Sequence, residues 1–210
     1  MAHVVLLGDS IFDNAHYTQG GPDVICQVRK ILPAGWAASL LAVDGATTED
    51  LPSQLSRLPA DTSHLVLSVG GNDALMNSSI LQKPADSMSQ AIGELASLSQ
   101  SFEQRYRRAV EACLKPHLPL TVCTIYNGNF PDIFQRLVST ALMVFNDVIL
   151  RVGVEMGLTV IDLRFVCCAS EDYANPIEPS STGGAKIARA IVRVWVAGQV
   201  ETRGSRVVIS

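Results

Sequence analysis

The stretch His3-Val4-Val5-Leu6-Leu7-Gly8-Asp9-Ser10 joins a short apolar run to a small polar turn. The apolar run is typical of a strand that is buried on both faces. Polar turns at the carboxyl ends of parallel strands are where open α/β sheets bind their ligands. Ser10 therefore has two interpretations, as the N-cap of the next segment or as a nucleophile presented by a tight turn, and the turn alone favours the cap.

Further apolar runs follow along the chain, and helical patterns separate them. We predict strands at residues 3–7, 38–43, 64–69, 119–125 and 158–162. We predict long helices at residues 86–115 and 132–156 and a last helix at about 183–198, with Thr182 as its N-cap. In the first of these, the helical spacing predicts core positions at Ile92, Leu95, Phe102 and Tyr106.

This alternation of strands and helices predicts a five-stranded parallel sheet covered by helices on both faces. The length of 210 residues fits a single domain, which we place at residues 1–198. Residues 199–210 form a C-terminal tail, and its apolar end, Val207-Val208-Ile209, fits either an edge strand or a loose end.

The composition narrows the class of partner. Hydrophobic residues make up 48% of the chain, and the net charge of −4 argues against nucleic acid. Five cysteines without a C-x-x-C pair, and no recognisable signal peptide, favour reduced thiols and a cytoplasmic protein. Since no metal-ligand spacing and no membrane-length apolar run stands out, we expect a small-molecule partner with no metal, cofactor or membrane. The oligomeric state stays open.

Three residues with the chemistry of acyl transfer follow successive predicted strands. Ser10 comes after the first strand, Gly45 after the second and Asn72 after the third. Acyl transfer needs a nucleophile and N–H donors that stabilise the oxyanion, and the backbone of Ser10 and Gly45 and the amide of Asn72 could supply these donors. Taken singly, Gly45 is a turn residue and Asn72 a loop cap, but together at one sheet edge they favour an active site.

Other polar residues are predicted at the same edge and are candidates for substrate binding. These are Asp13, Asn14, Asn127, Arg164 and Asn175. Arg164 also fits an ordinary ion pair, and Asn175 would orient the site if it contacts the backbone of its own loop.

The segments Gly8-Asp9-Ser10, Gly45 and Gly70-Gly71-Asn72-Asp73 resemble the first three motif blocks of the SGNH (GDSL-type) hydrolases, in the family's order. The resemblance implies a flavodoxin-like three-layer α/β/α sandwich. It implies that Ser10 is the nucleophile and that Gly45 and Asn72 complete the oxyanion hole. It also implies hydrolysis of esters or of acyl groups on small molecules, lipids or sugars.

The chain departs from the family's pattern just before the last helix. The family has Asp-x-x-His there, whereas this chain has Asn175-Pro176-Ile177-Glu178. Glu178 could accept the Ser10 proton if burial, or a nearby carboxylate such as Asp172 or Asp13, raised its pKa. The alternative, that Glu178 only anchors the loop, has equal weight.

Histidine offers one other candidate for the base. Of the four histidines, His3, His64 and His117 are predicted at the opposite edge of the sheet, and only His16 lies in the loop after Ser10. An exposed loop histidine is the simpler interpretation of His16.

Three functions therefore fit the sequence. The favoured one is a serine hydrolase that cleaves an ester or acyl group with an altered base. The second is a catalytically impaired protein that binds a small ligand in the same cleft. The third is a phosphate or nucleotide binder that uses loop 8–14, and it ranks last because the chain has neither a G-x-x-x-x-G-K-[ST] nor a G-x-G-x-x-G motif.

Overall fold

A computed structural model describes residues 2–196 and 206–209 of the chain. Its strands are β1 (Ala2–Gly8), β2 (Trp36–Leu40), β3 (His64–Ser68), β4 (Leu120–Cys123), β5 (Thr159–Ile161) and β6 (Arg206–Val208). Its α-helices are α1 (Val24–Ile31), α2 (Leu51–Leu55), α3 (Gly71–Leu75), α4 (Met88–Leu114), α5 (Asp132–Glu155), α6 (Leu163–Val166) and α7 (Ser181–Val196). Short 3-10 helices lie at 15–17, 48–50, 78–82 and 170–172.

The six strands form one parallel sheet in the order β2-β1-β3-β4-β5-β6. One core contains buried residues of α1 and α7, and the other contains those of α2, α4 and α5. The predicted α/β sandwich is therefore confirmed. β2 lies on one side of β1, and β3 and the later strands lie on the other, so the strand order reverses between β1 and β3. Such a switch point opens a crevice at the carboxyl ends of the strands. Ser10 and Asn72 follow these two strands.

The number of strands was predicted wrongly, because the sheet has six rather than five. β6 pairs with β5 in parallel, and the backbone N–H of Asp162 donates to the carbonyl of Val208 at 2.9 Å. Val208 is buried at the sheet edge, whereas Val207 and Ile209 are exposed by 49% and 53%. Residues 199–205 and 210 of the predicted tail lie outside the described residues.

The second strand lies earlier than predicted, at 36–40 instead of 38–43. Trp36 already pairs with Ala2. The backbone N–H groups of Leu41 and Ala42 then both donate to the Leu6 carbonyl, at 2.9 and 3.0 Å. Two donors on one acceptor cannot continue a regular ladder, so the chain leaves the sheet there.

Two helix predictions also need correction. α7 begins at Ser181 and is capped by Ser180, whose hydroxyl accepts from the N–H groups of Thr182 and Gly183 at 3.1 and 3.2 Å. Thr182 therefore lies in the first turn and is not the cap. In α4, Ile92 is exposed by 58% instead of packing in the core, whereas Phe102 and Tyr106 are buried as predicted.

Helix α5 has the length and composition of a membrane span, which the sequence analysis did not find. Its most apolar window has a mean hydropathy of 1.7, and 33% of that window is buried within the protein. Phe145, Val148, Ile149 and Val152 pack in the core beside the sheet. A helix of a protein core passes the same test of length and composition, so this resemblance is weak evidence for a membrane span.

Gly8 and Gln54 hold the end of β1, where the turn that carries Ser10 begins. Gly8 has φ of +125°, and a Cβ there would lie 1.7 Å from the carbonyl oxygen of Ser68, so only glycine fits. The buried Gln54 amide donates to the Gly8 carbonyl at 2.7 Å and accepts from the Gly8 N–H at 2.8 Å. The side chain thus satisfies both backbone groups of the residue at the end of β1.

Replacing Gln54 by alanine is expected to lower the free energy of unfolding by about 2 kcal/mol, because it leaves the buried N–H of Gly8 without a partner. The Gly8 carbonyl keeps a hydrogen bond from the Val43 N–H at 3.0 Å. Urea denaturation measures this change. Ser53→Ala, an exposed change on the same helix, is the control and should stay within about 0.5 kcal/mol of wild type. Equal stability of both variants would contradict the role assigned to Gln54.

Candidate active site

Ser10 lies in a tight turn directly after β1. The Asp9 carbonyl accepts from the N–H groups of Phe12 and Asp13, at 3.1 and 3.2 Å. The Asp9 carboxylate accepts from the Ile11 N–H at 3.2 Å, so Asp9 holds the turn together. These bonds fix the backbone on both sides of Ser10.

The Ser10 hydroxyl donates to Glu178 Oε1 at 3.1 Å. Both side chains are buried, with 7% of each residue exposed. The second carboxylate oxygen, Oε2, is also buried, and it has no hydrogen-bond partner among the described residues. The structure thus brings together the predicted nucleophile and the predicted carboxylate from opposite ends of the chain.

The loop that carries Glu178 is held by its own residues. Asn175 accepts hydrogen bonds from the N–H groups of Ile177 and Glu178, both at 2.9 Å. The N–H of Ala174 donates to the Glu178 carbonyl at 2.9 Å. Asn175 therefore orients Glu178 through the backbone.

Residues from other parts of the sheet edge tie the same loop down. The Tyr126 hydroxyl donates to the Ile177 carbonyl at 2.6 Å. The Asn14 amide donates to the Pro179 carbonyl at 3.1 Å. Since carbonyls on both sides of Glu178 are bonded in this way, its carboxylate is presented to Ser10 by a fixed backbone.

Burial raises the pKa of Glu178 to about 7, although the hydrogen bond from Ser10 lowers it, and the charge of Asp44 raises it further. The carboxylate that adds to the effect is thus Asp44, not Asp172 or Asp13 as expected. Asp172 is fully buried and paired with Lys186, 2.7 Å away. Burial also raises the pKa of Asp9, to about 8, and the charge of the nearby Glu178 adds to this rise.

A carboxyl whose pKa is higher in the folded protein than in the unfolded chain binds its proton more tightly when folded. The contribution of Glu178 to stability is therefore complete below about pH 4.5 and is lost as the pH rises through about 7. Glu178→Gln is expected to raise the free energy of unfolding by about 2 kcal/mol at pH 8 and to change it little at pH 4.5. Thermal unfolding at both pH values measures this difference, and equal shifts at both would contradict it.

The predicted oxyanion donors keep N–H groups that could bind a ligand. Within the described ranges, no group accepts a hydrogen bond from the backbone N–H of Ser10 or of Gly45. Gly45 has φ of +81° and is exposed in the turn after β2. Asn72 donates one amide N–H to the carbonyl of Ala46 at 2.9 Å, which ties this turn to α3 and leaves the second N–H of the amide for a ligand.

Asp73 also holds the loop after β2, a role that was not predicted from the sequence. Its buried carboxylate accepts from the Thr48 N–H at 3.0 Å and from the Thr48 hydroxyl at 2.7 Å. The carboxylate at the end of the Gly70-Gly71-Asn72-Asp73 motif thus joins the loops after β2 and β3. This contact is a second link beside that of Asn72.

Three of the predicted binding residues hold the protein's own loops. Asp13 accepts from the N–H of Asp44 at 2.9 Å. Asn14 is fully buried, and its amide oxygen accepts from the Val24 N–H at 2.9 Å. Arg164 donates to Asp162 at 2.8 Å. The structure thus shows contacts of these side chains within the protein, and their predicted ligand contacts stay predictions.

The histidines lie away from the Ser10–Glu178 pair. His16 is exposed on a 3-10 helix and is not among the residues of the described chain that line the cavity beside Ser10. His3 lies near the start of β1, where it is hydrogen bonded to Asp61 at 2.9 Å and to Ser39 at 2.8 Å. His3 thus links a serine to a carboxylate, as the histidine of a catalytic triad does, but away from Ser10. Ser39 is therefore a useful control serine.

A cavity of about 290 Å³ adjoins the pair and is lined by Ser10, Asn72, Asn127 and Glu178. The rest of its wall is mostly apolar and comes from α3, α4 and α5, from the 3-10 helix at 78–82 and from the loops around residues 125–130 and 177. Polar residues of this cavity were predicted from the sequence, whereas its apolar walls were not. No group of three His, Cys, Asp or Glu side chains in the described part of the chain is placed to hold a metal ion.

Asn72→Ala is expected to lower kcat/KM for an ester by about 10²-fold, because it removes one oxyanion donor. Hydrolysis of p-nitrophenyl butyrate measures this loss. Asn77→Ala is a matched control, since Asn77 lines the same cavity but donates to the Asp73 carbonyl at 2.8 Å. Equal losses in the two variants would contradict the role assigned to Asn72.

Ser10 lies at the switch point of a doubly wound sheet and is hydrogen bonded to a buried carboxylate, and the loops after the next two strands along the chain carry N–H groups without partners among the described residues. These are the kinds of group that acyl transfer requires. Residues 6–185 match the model of the GDSL-like Lipase/Acylhydrolase family. The chain belongs to this family of ester-cleaving hydrolases, as the three motif blocks predicted. A comparison with curated protein sequences finds no match.

Solved structures show the same fold. An extracellular lipase from Streptomyces rimosus is 15% identical, with a TM-score of 0.66 and coverage of 94% of this chain and 99% of the lipase. A lipolytic G-D-S-L protein from Veillonella parvula is 15% identical, with a TM-score of 0.67 and coverage of 95% and 100%. A carbohydrate acetylesterase from Sinorhizobium meliloti is 14% identical, with a TM-score of 0.61 and coverage of 94% and 99%. At these identities the likeness concerns the fold.

Proposed function

We propose that the protein hydrolyses carboxylic esters through an acyl-enzyme on Ser10, with Glu178 as the general base. The observation that carries the proposal is the hydrogen bond of 3.1 Å from the Ser10 hydroxyl to Glu178 Oε1. Burial brings the pKa of this carboxyl to about 7, where a carboxylate is a useful base near neutral pH. An ordinary glutamate is a weaker base because its pKa is near ~4.3.

In the first half-reaction, Ser10 Oγ attacks the ester carbonyl carbon and its proton passes to Glu178 Oε1. The carbonyl oxygen becomes an oxyanion, which the N–H groups of Ser10 and Gly45 and the free N–H of Asn72 stabilise. The intermediate then collapses, the bond to the alcohol breaks, and protonated Glu178 gives its proton to the leaving oxygen. The acyl group remains on Ser10.

In the second half-reaction, a water molecule attacks the acyl carbon while Glu178 accepts the proton of the water. The bond to Ser10 Oγ breaks, Glu178 returns the proton to Ser10, and the carboxylic acid leaves. Glu178 thus performs the proton transfers that a histidine performs in a serine–histidine pair. The fixed loop around Asn175 keeps the carboxylate in place for both halves.

Labelling with a fluorophosphonate probe tests this proposal, since the probe reacts with an activated serine. We expect one adduct, which mass spectrometry of peptides maps to Ser10, and we expect labelling to disappear in Ser10→Ala and to persist in Ser39→Ala. An adduct on Ser39 would overturn the assignment of the nucleophile. A folded wild-type protein that takes up no probe and hydrolyses no ester would instead support a ligand-binding role for the same cleft.

A further inference from the structure

The cavity beside Ser10 exists because two helices are much longer than the strands next to them. α4 has 27 residues and α5 has 24, whereas β4 has 4. At 1.5 Å per helical residue these helices span roughly 36–40 Å, against roughly 13 Å for the strand. Their N-terminal halves therefore extend past the carboxyl edge of the sheet, on the side of Ser10.

Beyond the sheet, the two helices face each other with apolar side chains. α4 contributes Leu95 and Leu98 to the cavity wall, and α5 contributes Val138, Ala141 and Leu142. The residues that follow on the same helices, from Phe102 and Phe145 onward, reach the buried core. The overhanging halves thus have no sheet to cover and enclose a space instead.

The cavity is open to solvent on one side. Leu75 of α3 and Phe134 of α5 line it, and they are exposed by 42% and 41%. Ser10 and Glu178 line the same cavity and are buried. A substrate held in the cavity therefore places one end at the reacting atoms.

We propose that this cavity binds the hydrocarbon chain of the acyl group, so that the protein prefers esters of medium-chain fatty acids to acetates. The inference rests on the proposed function and adds the substrate class. Apart from a few polar residues such as Asn77, Ser78 and Asn127, the cavity is lined mostly by apolar side chains. Apolar side chains cannot hydrogen bond the hydroxyls of a sugar, and burying such hydroxyls without partners costs free energy. Burying a methylene group is favourable and corresponds to about a fourfold gain in kcat/KM.

The acyl side of the ester suits the cavity better than the alcohol side. The alcohol has to take a proton from Glu178 and depart, whereas the acyl group stays bonded to Ser10 until water releases it. A cavity that adjoins Ser10 can hold the acyl chain through both half-reactions.

The test measures kcat/KM of the wild type for p-nitrophenyl acetate, butyrate and octanoate, and for ethyl, butyl and octyl acetate. We expect kcat/KM to rise about fourfold per methylene with acyl length until the cavity is full, and to change little with alcohol length. Sodium octanoate should inhibit far more strongly than sodium acetate, which gives a readout of binding.

Ala141→Phe places a ring in the cavity and is expected to lower the octanoate-to-acetate ratio of kcat/KM by about tenfold or more. Met143→Phe is the control, because Met143 lies on the same helix and is 60% exposed, and it should keep the wild-type ratio. If Ala141→Phe does not fold, the wild-type series and the inhibition by octanoate decide the question.

Two failures are distinguishable. Acetate hydrolysis that depends on Ser10, together with a flat or falling series in acyl length, would overturn the acyl cavity and leave the esterase intact. A rise with alcohol length alone would assign the cavity to the alcohol instead and would equally overturn the inference. Absence of both Ser10-dependent hydrolysis and Ser10 labelling would overturn the proposed function itself.

Discussion

Glu178→Gln is expected to lower kcat/KM for p-nitrophenyl butyrate by about 10³-fold, since removal of a general base commonly costs 10²–10⁴. The amide has nearly the shape of the carboxylate but cannot take the proton from Ser10. The Ser10 hydroxyl would then have to attack without the group that lies 3.1 Å away and activates it.

The pH dependence of the wild type should report the same carboxyl. Glu178 accepts a proton only when ionised, so kcat/KM is expected to rise with pH up to about 7, the pKa that burial gives Glu178, and to level off above it. Blank-corrected rates between about pH 5 and 9 measure this limb. In Glu178→Gln the residual rate should lack it.

His16→Ala is the control for the base, because His16 is the histidine that the sequence placed on the side of Ser10. We expect its rate and pH limb to match the wild type. If His16→Ala lost the limb and Glu178→Gln kept it, the base would lie in the first loop and Glu178 would be an anchor of its own loop.

The fold was predictable because its signals are local and repeated. Buried strands at 3–7 and 64–69 alternate with helical patterns, and that alternation allows few arrangements other than a parallel sheet. β6 was left open because three apolar residues after a polar tail carry no period. Only the exposed edge of β5, which no local pattern reveals, makes them a strand.

The positions of site residues were predictable where these residues follow strand ends. The hydrogen-bond partners of their side chains were less predictable. Ser10, Asn72 and Glu178 line one cavity because the switch point gathers the loops that carry them. Asn14 and Arg164 show the opposite case, since a polar loop residue satisfies a nearby backbone or carboxylate group as readily as a ligand. The sequence shows the type of such a residue but not its partner.

The apolar cavity was missed for a different reason. The helical spacing predicted both Leu95 and Ile92 as core residues. The structure places Leu95 in the cavity wall and leaves Ile92 exposed, because that half of α4 lies beyond the strands. A comparison of predicted helix and strand lengths was the signal that could have shown this overhang.

Ser10→Ala is expected to lower kcat/KM for the same ester by about 10⁴-fold, the largest effect of any single change, because no acyl-enzyme can then form. The cavity itself keeps its walls, so sodium octanoate should still bind. The same change removes the hydrogen bond that lowers the pKa of Glu178, and this pKa should therefore rise above about 7. Titration of the carboxyl by NMR with labelled glutamate measures that rise.

Ser39→Ala separates this loss from a general effect of removing a serine hydroxyl. Ser39 is bonded to His3 and, through it, to Asp61, so it is the other serine with a base at hand. We expect full activity in Ser39→Ala. Wild-type rates in Ser10→Ala at every pH would mean that Ser10 is no nucleophile. If instead neither protein hydrolysed the ester above the blank while both bound octanoate, the cleft would be a site that holds an acyl chain without cleaving it.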